Sequence, residues 1–194
     1  MALTPLFGGK ISAAQSEGLL FLRKAVKDLP LRHQAYVLAT AFHETAATLQ
    51  PIFERGARGY FDKYEPSTKL GRALGNIAAG DGYLFRGRGY VQLTGRANYA
   101  RAGRALKQDL LRAPDLALRP DLAARILIEG MAQGWFTGKK LSDYLGQDYL
   151  AARRIVNGQD RAHEIADHAR AFEAALQLGP PSFFVWLASF FKGG

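Results

Sequence analysis

Glu44 and Glu54 are two carboxylates ten positions apart, the residue type that performs general acid and general base catalysis. Val37, Ala41 and Glu44 fall on one ridge at i, i+4 and i+7 of an alanine-rich stretch, so the Glu44 carboxyl is expected beside nonpolar neighbours. Partial burial raises a carboxyl pKa, and an acid that keeps its proton near neutral pH can donate it to a glycosidic oxygen. On one continuous helix the two acids would lie about 15 Å apart along the axis. Pro51 breaks such a helix, and a chain that turns back there can bring the acids to the roughly 6.5–9.5 Å that leaves room for a water in an inverting glycosidase. The competing reading makes Glu54 a loop acid paired with Arg55 or Arg58.

Other chemistries lack their residues. His43-Glu44 and His163-Glu164 each open like a zinc-binding HExxH helix, but Ala47 and Asp167 stand where the second histidine is needed. With no cysteine in the chain there is no disulfide framework, no thiolate metal site and no cysteine nucleophile. The GxSxG elbow, the GxxxxGK[ST] phosphate loop and a GxGxxG turn after a strand are all missing. Carboxylate chemistry is what remains, with no metal and no organic cofactor expected.

The elements that must carry these acids are helices. Ser12 and Gln15 form a capping-box pattern ahead of Leu19, Leu20, Leu22 and Val26, which predicts a helix over about 12–28. Pro30 stops it, and Ala35, Leu38, Ala39 and Phe42 predict a second helix from Leu31 that ends at Pro51 at the latest. Residues 56–91 change character to Gly-punctuated pieces rich in Tyr and Phe, a pattern of turns with a short hairpin and the expected functional surface. Helical signals resume at Thr94, taken as an N-cap, after Pro120, around 149–155 and over 162–178. The fold class is mainly α.

At 194 residues the chain can bury a single core, with no internal repeat and no linker dividing it. Its 26 basic against 17 acidic residues give a formal charge of +9, which attracts polyanions of any kind. Six basic residues and no acidic one lie between Gly82 and Gln108. Nucleic-acid binding is not expected, because no recognisable nucleic-acid module accompanies the charge.

His43-Glu44-Thr45, Glu54, the block Gly87-Arg88-Gly89-Tyr90-Val91-Gln92-Leu93-Thr94-Gly95-Arg96-Ala97-Asn98-Tyr99, and Val156-Asn157-Gly158 occur in an order that resembles glycoside hydrolase family 19 over about residues 30–178. More narrowly, the chain is similar to the single-domain bacteriophage endolysins of that family. The resemblance implies a lysozyme-like fold of two helical lobes around a cleft. It implies Glu44 as general acid, Glu54 as the base that activates water, and Thr94 as a residue holding that water. Gln92, Asn98 and Asn157 match substrate-binding positions, with Thr45 and Tyr99 beside them. The interval between the two acids is one residue longer than in the family's bacterial chitinases, and the acid that often follows the Asn-Gly has only Asp160 as a loose counterpart. Without the resemblance, Thr94 reads as a cap, Asn98 as a solvated residue and Asn157-Gly158 as a turn.

Taken together, these features lead us to expect a monomeric enzyme that cleaves the β-1,4 bond of peptidoglycan, an anionic polymer, with uncharged chitin as the alternative. No secretory signal is visible in MALTPLFGGK, so the enzyme is expected to be made in a host cytoplasm and to reach the wall after membrane permeabilisation. The catalytic domain is set at residues 1–179. The tail, 180–194, puts Phe183, Phe184, Leu187, Phe190 and Phe191 on one helical face. It reads either as a last helix packed on the core or, through Phe183, Trp186 and Phe190, as a contact with an anionic membrane. A cationic membrane-perturbing or wall-binding protein is the competing functional class.

Overall fold

The computed structural model describes residues 4–144, 146 and 148–178. The expected tail contacts through Phe183, Trp186 and Phe190 lie outside these residues. Helix α1 covers Ala13–Ala25 and starts at the expected capping box, where Ser12 and Gln15 exchange side-chain and backbone bonds. Leu19, Leu22 and Val26 are buried as its apolar stripe requires.

Helix α2, Leu31–Glu44, has no side-chain cap at Pro30. Every residue from Ala35 to Phe42 is buried, so its stability comes from being enclosed on all sides and not from its ends. Its main partner is α8, Ala162–Gln177. Phe42 is the hinge of that packing, meeting Phe7 at 5.2 Å, His168 at 5.0 Å and Phe172 at 6.0 Å between ring centroids. The helix ends at Glu44, well before Pro51. His43 and Glu44 are half-buried there, where the fully enclosed helix reaches the surface.

Ala46, Ala47 and Leu49 all have positive φ in the segment that follows. It leads into strand β1, Ile52–Phe53, which pairs antiparallel with β2, Arg88–Gly89. The short hairpin expected within 56–91 is therefore a two-residue ribbon closing a long excursion. That excursion carries a 3₁₀ segment, Arg58–Tyr64, and the short helices α3, Lys69–Ala73, and α4, Asp81–Leu84. Phe61 is buried there apart from the main core, ringed by Tyr60, Tyr64 and Tyr83.

Polar bonds hold this region together. Glu65 accepts from the Gly80 and Gly82 N–H groups, and Asn76 donates to the Tyr64 carbonyl. Buried Asp81 accepts two bonds from Arg96 at 2.7 Å and two more from the Ile77 and Ala78 N–H groups. Burial pushes the Asp81 carboxyl up, but the Arg96 fork and the two N–H donors outweigh it and lower the pKa to about 2.

Helix α5, Arg96–Leu106, begins one residue later than a Thr94 cap would place it. Gly95 at φ 89° is the N-cap instead, because the tight reversal after Leu93 needs a left-handed residue there, and the Thr94 hydroxyl is spent on the Gln92 carbonyl. Helices α6, Pro120–Gln133, and α7, Tyr149–Ala152, complete the helical body, with a 3₁₀ turn at Arg153–Ile155 after α7. The architecture is mainly α, as the apolar periodicity predicts. Among the described residues no helix is long and apolar enough to cross a membrane.

Candidate active site

Glu44 sits at the last turn of α2, and its neighbour is polar. Arg153 donates to Glu44 Oε1 at 2.9 Å, and the guanidinium is 4% exposed against 18% for the carboxylate side chain. The apolar surround expected for this acid is corrected by that contact. The ridge of Val37 and Ala41 is buried in the core as foreseen, but the helix ends at Glu44 and the chain folds a cation from the segment after α7 onto it. Arg153 is itself anchored by its Nε bond to the Asp160 backbone carbonyl. Asp160 thus contributes main chain to the site through this bond. On the other side His43 Nδ1 lies 3.8 Å from Glu164 Oε1, bringing the second His-Glu pair of the sequence against the first.

Glu54 follows β1 and is fixed by the ribbon. Its N–H donates to the Gly87 carbonyl at 2.8 Å, and its Oε2 accepts the Gly87 N–H at 3.1 Å. Oε1 accepts the Tyr64 hydroxyl at 2.9 Å, with Lys63 Nζ 3.5 Å away. The cationic partner is therefore Lys63, and the alternative pairing with Arg55 or Arg58 does not form. The side chain is 17% exposed, so an edge of the carboxylate meets solvent.

Gln92, Thr94 and Asn98 form one chain of bonds beside Glu54. A Cβ placed on Gly87 would lie 2.8 Å from Gln92 Oε1 and 3.1 Å from Glu54 Oε2, which puts both side chains against the same glycine. Gln92 has a φ of 54° and donates its amide to the Ile52 and Gly89 carbonyls, both at 3.1 Å. Its two N–H groups are thereby committed, and the acceptor oxygen is what it can offer a ligand. Thr94 donates its hydroxyl to the Gln92 carbonyl at 2.8 Å and accepts the Asn98 amide on its own carbonyl at 2.7 Å. The Thr94 oxygen keeps lone pairs to accept from a water.

Thr45 and Tyr99 are placed differently from expectation, since both are 0% exposed. Thr45 donates to the Ala41 carbonyl and accepts the Leu49 N–H, which caps α2 and starts the strained turn. Tyr99 donates to the Arg86 carbonyl and accepts from Arg88, both at 2.9 Å, and burial raises its phenol to about 12. These two position the site from inside and do not face a ligand. Asn157 is exposed, with its Oδ1 taken by the Gly158 N–H and its own N–H bonded to the Arg153 carbonyl.

Two carboxylates therefore stand on separate supports, one on a helix end braced by an arginine and one on a ribbon braced by a glycine N–H and a tyrosine. Arg153, Tyr64 and Lys63 escaped sequence reasoning. Gly87 was visible only as part of the long glycine-rich block.

The profile of the chitinase class I family, glycoside hydrolase family 19, matches residues 27–139. This span includes both acids, Gln92, Thr94 and Asn98, and leaves Arg153 and Asn157 beyond its end. The fold is similar to that of chitinase C from Streptomyces griseus HUT6037, with a TM-score of 0.57 and 20% identity over 88% of this chain and 72% of that one. No curated protein matches in a sequence search. With the profile covering more than half of the chain and the lysozyme-like fold beneath it, the chain belongs to glycoside hydrolase family 19 and is a glycosidase.

Proposed function

We propose that the enzyme hydrolyses the β-1,4 glycosidic bond of bacterial peptidoglycan by inversion. The observation that carries the reading is the pair of acids, Glu44 and Glu54, each held by its own partners and each with less than a fifth of its side chain open to water. Glu44 donates its proton to the leaving oxygen. Glu54 takes a proton from a water that Thr94 helps to hold, and that water attacks the anomeric carbon from the opposite side. An oxocarbenium-like transition state gains from the ionised Glu54, and rigid placement of its two carboxylate oxygens by Gly87 and Tyr64 costs no reorganisation during the step. Gln92 Oε1, Asn98 and Asn157 supply polar groups for sugar amides and hydroxyls.

The +9 charge supports an anionic polymer over a neutral one. Chitin is the second reading, favoured by the family's chitinase class I description. Action as a bacteriophage endolysin, working as a monomer on the wall after membrane permeabilisation, belongs to the same proposal. Mass spectrometry of fragments from purified peptidoglycan and from chitin oligomers decides between the substrates. A new reducing end on a sugar of the peptidoglycan backbone, lost with Glu44→Gln, is the expected result, whereas amidase products or lysis unchanged by that substitution would overturn it.

A further inference from the structure

The ribbon has two faces, and Glu54 occupies only one of them. Successive residues of a strand point to opposite sides. Gly87 faces Glu54 and Gln92, while its neighbours Arg86 and Arg88 lie over the Phe53 ring at 4.7 Å and 5.1 Å on the reverse side. Behind that reverse face is a cavity of about 620 Å³ lined by Arg58, Tyr83, Arg86, Arg88, Arg112 and Asp115, among others.

Four guanidinium groups against one carboxylate leave this cavity strongly positive. Arg88 is not available to a ligand. It is 2% exposed, is bonded to Asp115 through Nε and a terminal nitrogen, and gives its remaining donors to the Leu84 and Arg86 carbonyls and the Tyr99 hydroxyl. Arg86 bonds the Tyr83 carbonyl at 2.8 Å and stacks on the Tyr83 ring at 4.0 Å, and Arg58 lies over the same ring at 4.7 Å. A guanidinium group held over a ring face keeps N–H donors with which it can grip an oxyanion in paired bonds. Among the described residues Arg58, Arg86 and Arg112 form no ion pair with a carboxylate.

The geometry points to an oxyanion-binding site on the reverse face of the ribbon, back to back with Glu54, in which Arg58, Arg86 and Arg112 hold a phosphate or carboxylate group carried by the polymer the enzyme works on. The site rests on the polymer being anionic, as proposed above, but not on which of its glycosidic bonds is cleaved. It would tether an anionic chain one strand's thickness from the base, while the neutral sugars engage the other face.

Calorimetric titration of the full chain with inorganic pyrophosphate, at low salt, tests it directly. Arg58→Ala with Arg112→Ala should weaken binding at least 10-fold while leaving the circular-dichroism spectrum of the folded chain unchanged. A lysine pair at the same positions should recover only part of the affinity, because charge remains but the fork is lost. Unaltered affinity in the alanine pair, or an equal loss in a charge-matched control with Arg104→Ala and Lys107→Ala, would overturn the site. Retention on purified wall identifies the source of the anion. Hydrofluoric acid removes phosphodiester polymers and amidase removes the carboxylate-bearing peptides, and whichever treatment abolishes the difference between wild type and the alanine pair names the group. Equal retention of the two proteins on untreated wall would also overturn the site. The fragment analysis of the preceding section is independent, so hydrolysis without pyrophosphate binding and binding without hydrolysis are separate outcomes.

Discussion

Single side chains decide what the acids can do. Glu44→Gln preserves shape and the Arg153 contact but removes the transferable proton, so kcat should drop by about 10²–10⁴ with KM little changed. Arg153 acts through Glu44 as a positioning residue. Arg153→Ala should lower kcat more than it changes KM, and Arg153→Lys should restore only part of the rate, because lysine keeps a charge but cannot bond Asp160 and Glu44 from one rigid plane. Steady-state kinetics on one soluble oligosaccharide checks both; a rate unaffected by Arg153→Ala would remove the arginine from the site. Gly87→Ala places a methyl 2.8 Å from Gln92 Oε1 and 3.1 Å from Glu54. Displacement of the base by a fraction of an ångström should cost on the order of 10-fold to 10²-fold in kcat.

At the level of elements, the segment between the two acids is held from behind by α1. Gln15 donates to the Ala47 carbonyl at 2.9 Å and Gln50 to the Ala14 carbonyl at 2.6 Å. Gly18 packs so closely that a Cβ would stand 2.2 Å from the Leu49 carbonyl oxygen. Three non-glycine residues with positive φ persist in this segment because these contacts and buried Thr45 hold them. Gly18→Ala must push α1 and the turn apart, and a loss of about 1–3 kcal/mol in urea denaturation is expected, together with reduced activity. The 64–96 region depends on Asp81 in the same way. Asp81→Ala leaves Arg96 without its partner and should cost about 3 kcal/mol or more, read from the same denaturation curve.

For the whole molecule, charge buried on folding sets the response to acid. Burial is the main cause that lowers His33, His43 and His168 below the usual imidazole value. The unfolded chain takes up protons around pH 6.5 while the folded chain resists, so stability is complete above that pH and declines as it falls from about 7 toward 5. Asp81, depressed to about 2, adds a second loss from about pH 4 downward. Urea midpoints at pH 7.5, 6.5 and 5.5 check the first limb, and a midpoint constant over that range would refute it.

Much of this was legible in the chain itself, because local rules act over a few residues. The capping box at Ser12, the stop at Pro30, the apolar stripe of α2 and the paired histidine-glutamate motif specify where helices begin and where Glu44 emerges. Ordered spacing around Gly87–Tyr99 was enough to indicate the family. Long-range contacts were not legible, since nothing local marks them. Arg153 reaches Glu44 across 109 positions, Gly87 reaches Glu54 across 33, and within the basic run from Gly82 to Gln108 Arg96 goes to Asp81, Arg88 to Asp115 and Arg101 to a backbone carbonyl of Trp135. Residue types and spacing determined the helices and the reacting groups; only the packing of distant segments decided which cation, which N–H and which side of the ribbon each group would meet.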